Sequence, residues 1–374
     1  MSYKTDICVI GGGIAGLTSA YALIRRGVGV AVVESGTIDS STSTVAAGML
    51  APLVEARLEE REIVEFGLEA LLYWKNFASE LEAEAEMKID YRSEGTLVVG
   101  VERDHIGMIR HLYEEQTELG LPAETITNYE GRKLEPYLSP TLSEGLFSPN
   151  DHQVDNRLLM QALYNVCAKG SVQIFEGCSQ SRIDHEKGEG WWYRSDKIEV
   201  QAKSLVVATG ASLKVLSDVA PELSRLVRPV KGQVVRLDQS ETHVLDHVVR
   251  TPEVYLVPKS DGTLVIGASS EDRGFDKAVR LGPLYETLQA AWETVPVLYE
   301  LPVIETSVGF RPASIDHAPI IGQTSYEGLY LATGYYRHGI LFAPLGGDLL
   351  ANHILDGTID ERIKPFSPER FNSD

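Results

Sequence analysis

The apolar residues of this chain fall into short buried runs and helix-spaced stripes, and their order is informative. Residues 7–10, Ile-Cys-Val-Ile, form a strand-length apolar run that ends on Gly11-Gly-Gly13-Ile-Ala-Gly16. That pattern predicts a buried strand, a tight turn and a helix start. A second apolar run, 28–33, stops on Glu34. Residues 58–84 carry Ile63, Phe66, Leu68, Leu71 and Leu72 at helical spacing and predict a long amphipathic helix. The acids here, Glu55 through Glu65 and Glu80 through Glu86, are expected to form a solvated face. Strand is predicted over 90–101 and helix over 103–119 and 157–168. The segments 172–175, 191–193 and 198–200 alternate like strands, with Trp191 and Trp192 as a strand-surface pair. Residues 204–210 read as a buried parallel strand closing on Gly210.

Residues 217–304 read differently. The runs 229–237, 254–258 and 263–267 suggest a second, antiparallel layer, with a helix over 283–294. Glycines return from 308 onward and a last helix is predicted over 340–355. There are no repeats and no low-complexity linker, so the two layers are interleaved. Residues 1–88, 145–216 and 305–374 are assigned to a nucleotide-binding domain. Residues 89–144 and 217–304 are assigned to a substrate-binding domain.

The first unit carries chemistry. Gly11 permits a sharp turn, Gly13 lets backbone approach a pyrophosphate, and Gly16 lets the helix pack closely on the strand. Phosphates then meet N–H groups at a helix N-terminus, where the helix dipole favours negative charge. Glu34 lies about 20 residues beyond the glycines, placed to accept from ribose hydroxyls. The fingerprint suits FAD and NAD alike.

Bulk properties narrow the class. A chain of 374 residues exceeds one ordinary core. The formal charge is −20, which argues against nucleic acid or an anionic membrane as the main partner. No stretch approaches the roughly 20 apolar residues of a membrane span, and the first strand begins too early for a signal peptide. Cys8, Cys167 and Cys178 have no metal spacing and no CxxC pattern. They read as reduced structural thiols of a cytoplasmic protein.

Further motifs complete the picture: Ala-Ala-Gly-Met-Leu at 46–50, Val-Lys-Gly-Gln at 230–233, Gly-Phe-Arg-Pro at 309–312 and Gly-Tyr-Tyr-Arg-His-Gly-Ile at 334–340. Together with the N-terminal fingerprint they resemble FAD-dependent amine oxidases of the D-amino-acid oxidase group, in its glycine oxidase (ThiO) branch. The resemblance runs in order over nearly the whole chain. It implies a Rossmann-like α/β FAD-binding domain interleaved with an α+β substrate domain built on an antiparallel sheet. It also implies roles by position. Ile14 and Ala15 join Gly11, Gly13 and Gly16 on the pyrophosphate turn. Glu34 and Ser35 hold the adenosine ribose, and Thr42 and Ser43 reach the phosphates and ribityl chain. Ala47, Gly48 and Met49 pack near the isoalloxazine. Gln180 contacts adenine through its backbone, and Gly210 ends a strand beside the cofactor. Tyr335, Tyr336, Arg337, His338, Gly339, Ile340 and Leu341 wrap the pyrimidine end of a flavin that is not covalently attached.

The same resemblance gives the catalytic set. Arg311 grips a substrate carboxylate with two parallel hydrogen bonds, Tyr255 supports that carboxylate, and Arg337 adds a second positive charge. Glu253 and Ser270 stand where some relatives carry His and Met; Glu253 is expected to point to solvent. The implied reaction is oxidation of glycine, sarcosine or a small D-amino acid to an imine. Dioxygen takes the electrons and gives hydrogen peroxide, and water converts the imine to an oxo acid and ammonia. Supply of iminoglycine to thiamin thiazole synthesis, and assembly as a homo-oligomer, are further implications. Two alternatives stay open: a dehydrogenase that passes electrons to a quinone or carrier, and a flavin-binding protein without catalysis.

Overall fold

The computed structural model describes residues 2–55, 57–101 and 103–372. The outermost residues of the ranges 1–88 and 305–374 therefore lie outside the described residues. The fold is mixed α/β, built on two eight-stranded sheets. Strand Ser2–Ile10 is central to the first sheet, flanked in parallel by Val30–Val33 and Glu199–Val207. Gln173–Phe175 extends one side in parallel. Leu329–Thr333, parallel, and Ile320–Gln323, antiparallel, complete the other. The hairpin Arg182–Glu186 and Gly190–Arg194 joins along the first half of Glu199–Val207.

Alternation along Ser2–Ile10 decides what each face meets. Ile7 and Val9 face a core shared with the helices Ile14–Ile24, Arg61–Ala85, Asn156–Lys169 and Gly339–Asp356. Cys8 and Ile10 face the opposite core, with Ile183, Trp191 and Leu213. Burial on both sides explains why the end of this strand, Ile7 to Ile10, is an uninterrupted apolar run. Helices Ile14–Ile24 and Gly339–Asp356 touch closely: a Cβ on Gly347 would lie 2.9 Å from the Ser19 nitrogen.

The second sheet runs in the order Val303–Ser314, Val227–Asp238, Thr263–Gly267, Tyr255–Pro258, Val248–Arg250, Thr96–Val99, Gly145–Ser148, Glu124–Ile126. All its pairs are antiparallel except Val248–Arg250 with Thr96–Val99. Strands Gly145–Ser148 and Val303–Ser314 pair in this sheet, although the sequence groups most of these residues with the first unit. An apolar run does not carry the identity of its partner strand.

Other expectations shift locally. Segments 198–200 and 204–210 belong to one strand, Glu199–Val207; Gln201 and Ser204 are its half-buried polar positions. Trp191 is not a surface residue. It is 2% exposed, and its Nε1 donates to the Glu327 carbonyl at 3.0 Å. Trp192, on the other side of the strand, lies under the Arg194 guanidinium. The strand expected over 90–101 shortens to Thr96–Val99, whereas the helix over 157–168 is present as Asn156–Lys169, capped by Asp155.

Candidate active site

One cavity of about 630 Å³ takes its wall from both sheets. Its first end is the glycine turn. Gly11 has φ +111°, and a Cβ there would lie 2.3 Å from the Ala208 carbonyl oxygen. A Cβ on Gly16 would lie 1.9 Å from the Gly11 oxygen, so that glycine sets the helix-to-strand distance. Gly13, Ile14 and Ala15 line the cavity at the start of helix Ile14–Ile24. First-turn N–H groups have no partner within a helix. Ile14 gives its own to Ser43 Oγ at 3.0 Å. Glu34, at the end of the second strand, accepts from the Gly12 and Gly36 nitrogens, each at 2.8 Å, and from Ser35 Oγ. Thr42 accepts from the Phe310 nitrogen at 3.0 Å. Glu34, Ser35, Thr42 and Ser43 all line this end, as does Gly210.

The middle of the cavity is walled by Ala47, Gly48 and Met49. Gly48 has φ +80°, and a Cβ would strike the Val154 carbonyl oxygen at 2.0 Å. Behind it stands Lys259, buried, whose Nζ donates to the carbonyls of Ala47 at 2.7 Å and Val154 at 2.8 Å. Burial pushes this ammonium down to about 8. Tyr335, Tyr336, Arg337, Gly339 and Ile340 close the cavity from the other side, at the start of helix Gly339–Asp356.

The other end is built on the second sheet. Arg311 lies on Val303–Ser314 and donates from Nη1 to the Ser269 carbonyl at 3.1 Å. Gly232, on the neighbouring strand, lies beneath the guanidinium. The residues beside Gly232 explain the rest of that motif. Lys231 is wholly buried and holds the Ala278 carbonyl at 2.6 Å and Asp276 at 3.2 Å. Gln233 holds Glu271 and the Arg280 nitrogen. They tie down the segment whose Ala268, Ser270 and Phe275 line the cavity. Tyr255 lines it too; burial raises its phenol pKa, and the adjacent Arg311 guanidinium opposes the rise.

Beyond Tyr255 lies a charged cluster that the sequence does not announce. Glu55 is buried and pairs through Oε1 with Arg250 Nη1 at 2.5 Å. Its Oε2 is 3.8 Å from Arg337 Nε and 3.4 Å from His338 Nδ1. Glu60 lies 3.4 Å from Arg337 Nη2. Burial alone would raise the Glu55 carboxyl, but Arg250, with His338 and Arg337, holds it at about 2. Asp151 accepts from the Leu53 and Val54 nitrogens, each at 3.0 Å, and so fixes the backbone that carries Glu55.

Four expected residues stand off the wall, Gly16 among them. Gln180 is exposed, and its neighbour Ser181 lines the cavity instead. His338 is half-buried and Leu341 buried, and the Leu341 carbonyl accepts from Trp74 Nε1. Glu253 does not simply face water. It lines the cavity rim and pairs with His105 Nε2 at 3.0 Å. The three cysteines are free and buried. Among the described residues, no helix is long and apolar enough to cross a membrane.

A long cavity with a glycine cradle at one end, helix N-termini at two points and a wall of Ala47, Gly48 and Met49 between them fits a dinucleotide carrying a flat ring. The comparisons agree. Glycine oxidase of Geobacillus kaustophilus is 28% identical over 99% of this chain and 98% of that one. Its crystal structure matches with a TM-score of 0.91, covering 99% of this chain and 100% of that one. The bifunctional protein ThiO/ThiG of Synechocystis sp. is 32% identical over 99% of this chain and 55% of its own length. The chain thus spans about half the length of the first curated relatives it matches. The DAO family profile, described as FAD dependent oxidoreductase, matches residues 6–353. The chain belongs to the DAO family of FAD-dependent oxidoreductases, and its cofactor is FAD.

Proposed function

We propose that the chain oxidises glycine and related small amines, such as sarcosine and small D-amino acids, to the corresponding imine. Water releases the oxo acid and ammonia, and dioxygen accepts the electrons to give hydrogen peroxide. The observation that carries this reading is Arg311. Among the described residues, no carboxylate pairs with it, and it lies beside Tyr255 in the same cavity as the glycine cradle. A guanidinium so placed binds a carboxylate with two hydrogen bonds. The relative named glycine oxidase supports the choice of amine.

When bound, FAD supplies the two-electron acceptor. The protein supplies orientation and electrostatics. Glu34, Ser43 and the first turn of Ile14–Ile24 hold the adenosine and phosphate end. Ala47, Gly48 and Met49 would lie against the ring, with Lys259 fixing the backbone at Ala47. The N-terminus of Gly339–Asp356 favours negative charge at the far side of the ring. Arg311 and Tyr255 fix the carboxylate, and with it the direction of the neighbouring Cα–H and amine. An uncharged amine needs no acid–base side chain, because its own lone pair assists loss of hydride. Supply of iminoglycine to thiamin thiazole synthesis, a cytoplasmic location and a homo-oligomeric assembly belong to the same proposal.

The test is anaerobic mixing of the flavoprotein with glycine, sarcosine and D- and L-amino acids. Glycine should bleach the oxidised flavin band, and admitting air should restore it with hydrogen peroxide. A flavin that no amine reduces would overturn the reading; reduction without peroxide under air would assign the electrons to another acceptor.

A further inference from the structure

We infer that Glu55 sets the charge the pocket accepts beyond the first carboxylate, and so excludes amines that carry a second anionic group. The inference rests on the proposed binding of one carboxylate at Arg311. Three arginines line the cavity here, and they are not equivalent. Among the described residues, Arg311 is bound only to neutral partners, the Ser269 carbonyl and the Tyr255 phenol. Arg250 and Arg337 are both engaged by Glu55, and Arg337 is also engaged by Glu60.

The two arginine sets are close neighbours. Arg250 stands directly opposite Tyr255 in the antiparallel pair Val248–Arg250 with Tyr255–Pro258, where facing Cα atoms lie about 4.5–5.5 Å apart. Tyr255 in turn adjoins Arg311. A substrate held by its carboxylate at Arg311 therefore extends its remaining groups toward Arg250 and Arg337 within one continuous cavity. Left unpaired, those guanidiniums would make a second anion site. Glu55 removes that attraction. It is buried, its backbone is clamped through Leu53 and Val54 to Asp151, and it stays ionised at any working pH. Glu253 adds a further carboxylate at the rim. Two guanidiniums facing Glu55 and Glu60 leave no net positive charge for a second substrate anion. Discrimination by an unfavourable charge is a common device of selective sites.

The test compares acetate with malonate, a monoanion with a dianion, as ligands of the oxidised holoenzyme, read from the shift in flavin absorbance. In Glu55→Gln, which keeps side-chain size and an acceptor for Arg250, the preference for malonate over acetate should rise by about 10-fold or more. The ratio of kcat/KM for iminodiacetate over glycine should rise in the same direction. Glu60→Gln, at a more exposed position, should give a smaller rise and serves if Glu55→Gln fails to retain FAD. Ratios within twofold of the native protein in both variants, or a fall, would overturn the inference while leaving glycine oxidation standing. A native protein that oxidises no amine and binds neither anion would overturn both.

Discussion

Gly232 leaves the space that the Arg311 guanidinium fills. A Cβ at position 232 would lie 2.8 Å from Nη1, 2.9 Å from Nη2 and 3.0 Å from Cζ. The contact is too close for any side chain, and it involves the atoms proposed to grip substrate. Gly232→Ala should therefore push the guanidinium off its position without touching the dinucleotide cradle. The expected result is a KM for glycine raised about 10–100-fold, equivalent to about 1.4–2.8 kcal/mol, with the flavin-to-protein ratio unchanged. An unaltered KM would show that Arg311 does not hold the carboxylate.

Lys259 presents a different kind of test. Its ammonium satisfies two carbonyls and Gln153 Oε1 inside the protein. Lys259→Met keeps the length of the side chain but leaves those acceptors buried and unpaired. Such losses cost about 1–3 kcal/mol for each unsatisfied group. The variant should melt at a lower temperature and release FAD more readily on dilution, while Lys259→Arg should recover part of both. Full retention of FAD in the Met variant would rule out a part for Lys259 in shaping the ring wall.

His338 carries a pH signature. Burial, partly opposed by Glu55 and reinforced by Arg337 and Arg250, lowers its imidazole to about 4 from an ordinary 6.5. Between these values the unfolded chain holds a proton that the folded chain does not. Stability linked to neutral His338 is thus complete above pH 6.5 and falls as pH drops toward 4, by up to about 1.4 kcal/mol per pH unit. Subtracting the curve for His338→Asn from that of the native protein should isolate this slope in denaturant titrations. A difference that stays constant from pH 7 to pH 4.5 would refute it.

Two glycines of the first turn should separate folding from binding. Gly16→Ala forces the helix off the strand, because its Cβ would lie 1.9 Å from the Gly11 oxygen. It should lower Tm and yield protein without flavin. The Cβ of Gly13→Ala would meet only Ser43 Oγ, at 3.4 Å, yet it stands on the cavity wall. It should keep Tm close to native in the apoprotein while weakening FAD binding. Equal behaviour of the two variants would contradict this division of roles.

Much of this site was readable in the chain because its parts are local. Strand, turn, helix and Glu34 follow one another within the first βαβ unit, and the fingerprint needs no tertiary knowledge. Arg311, Tyr255 and Arg337 were reached through matched motifs, and the structure brings all three to one cavity. The Glu55–Arg250 pair was not readable. Its members are 195 positions apart, and Glu55 sits among acids that look like any solvated helical face. Lys259 was missed for a similar reason, since a lysine beside Ser and Asp resembles a turn residue. The Gln180 and Ser181 positions differ by one residue within an irregular segment, where periodicity gives no register. The motif Val-Lys-Gly-Gln gained its meaning only from the facing strand, which supplies Arg311 to lie over its glycine.

The close contact at Gly347 has a mechanical consequence. The helix Ile14–Ile24, proposed to receive the phosphates, and the helix Gly339–Asp356, proposed to face the flat ring, are bolted together a few residues along, backbone against side-chain-free backbone. On that reading the two jaws share a single pivot, and their gauge is set there. A bulkier residue at 347 would keep every gripping residue and still mis-space the grip.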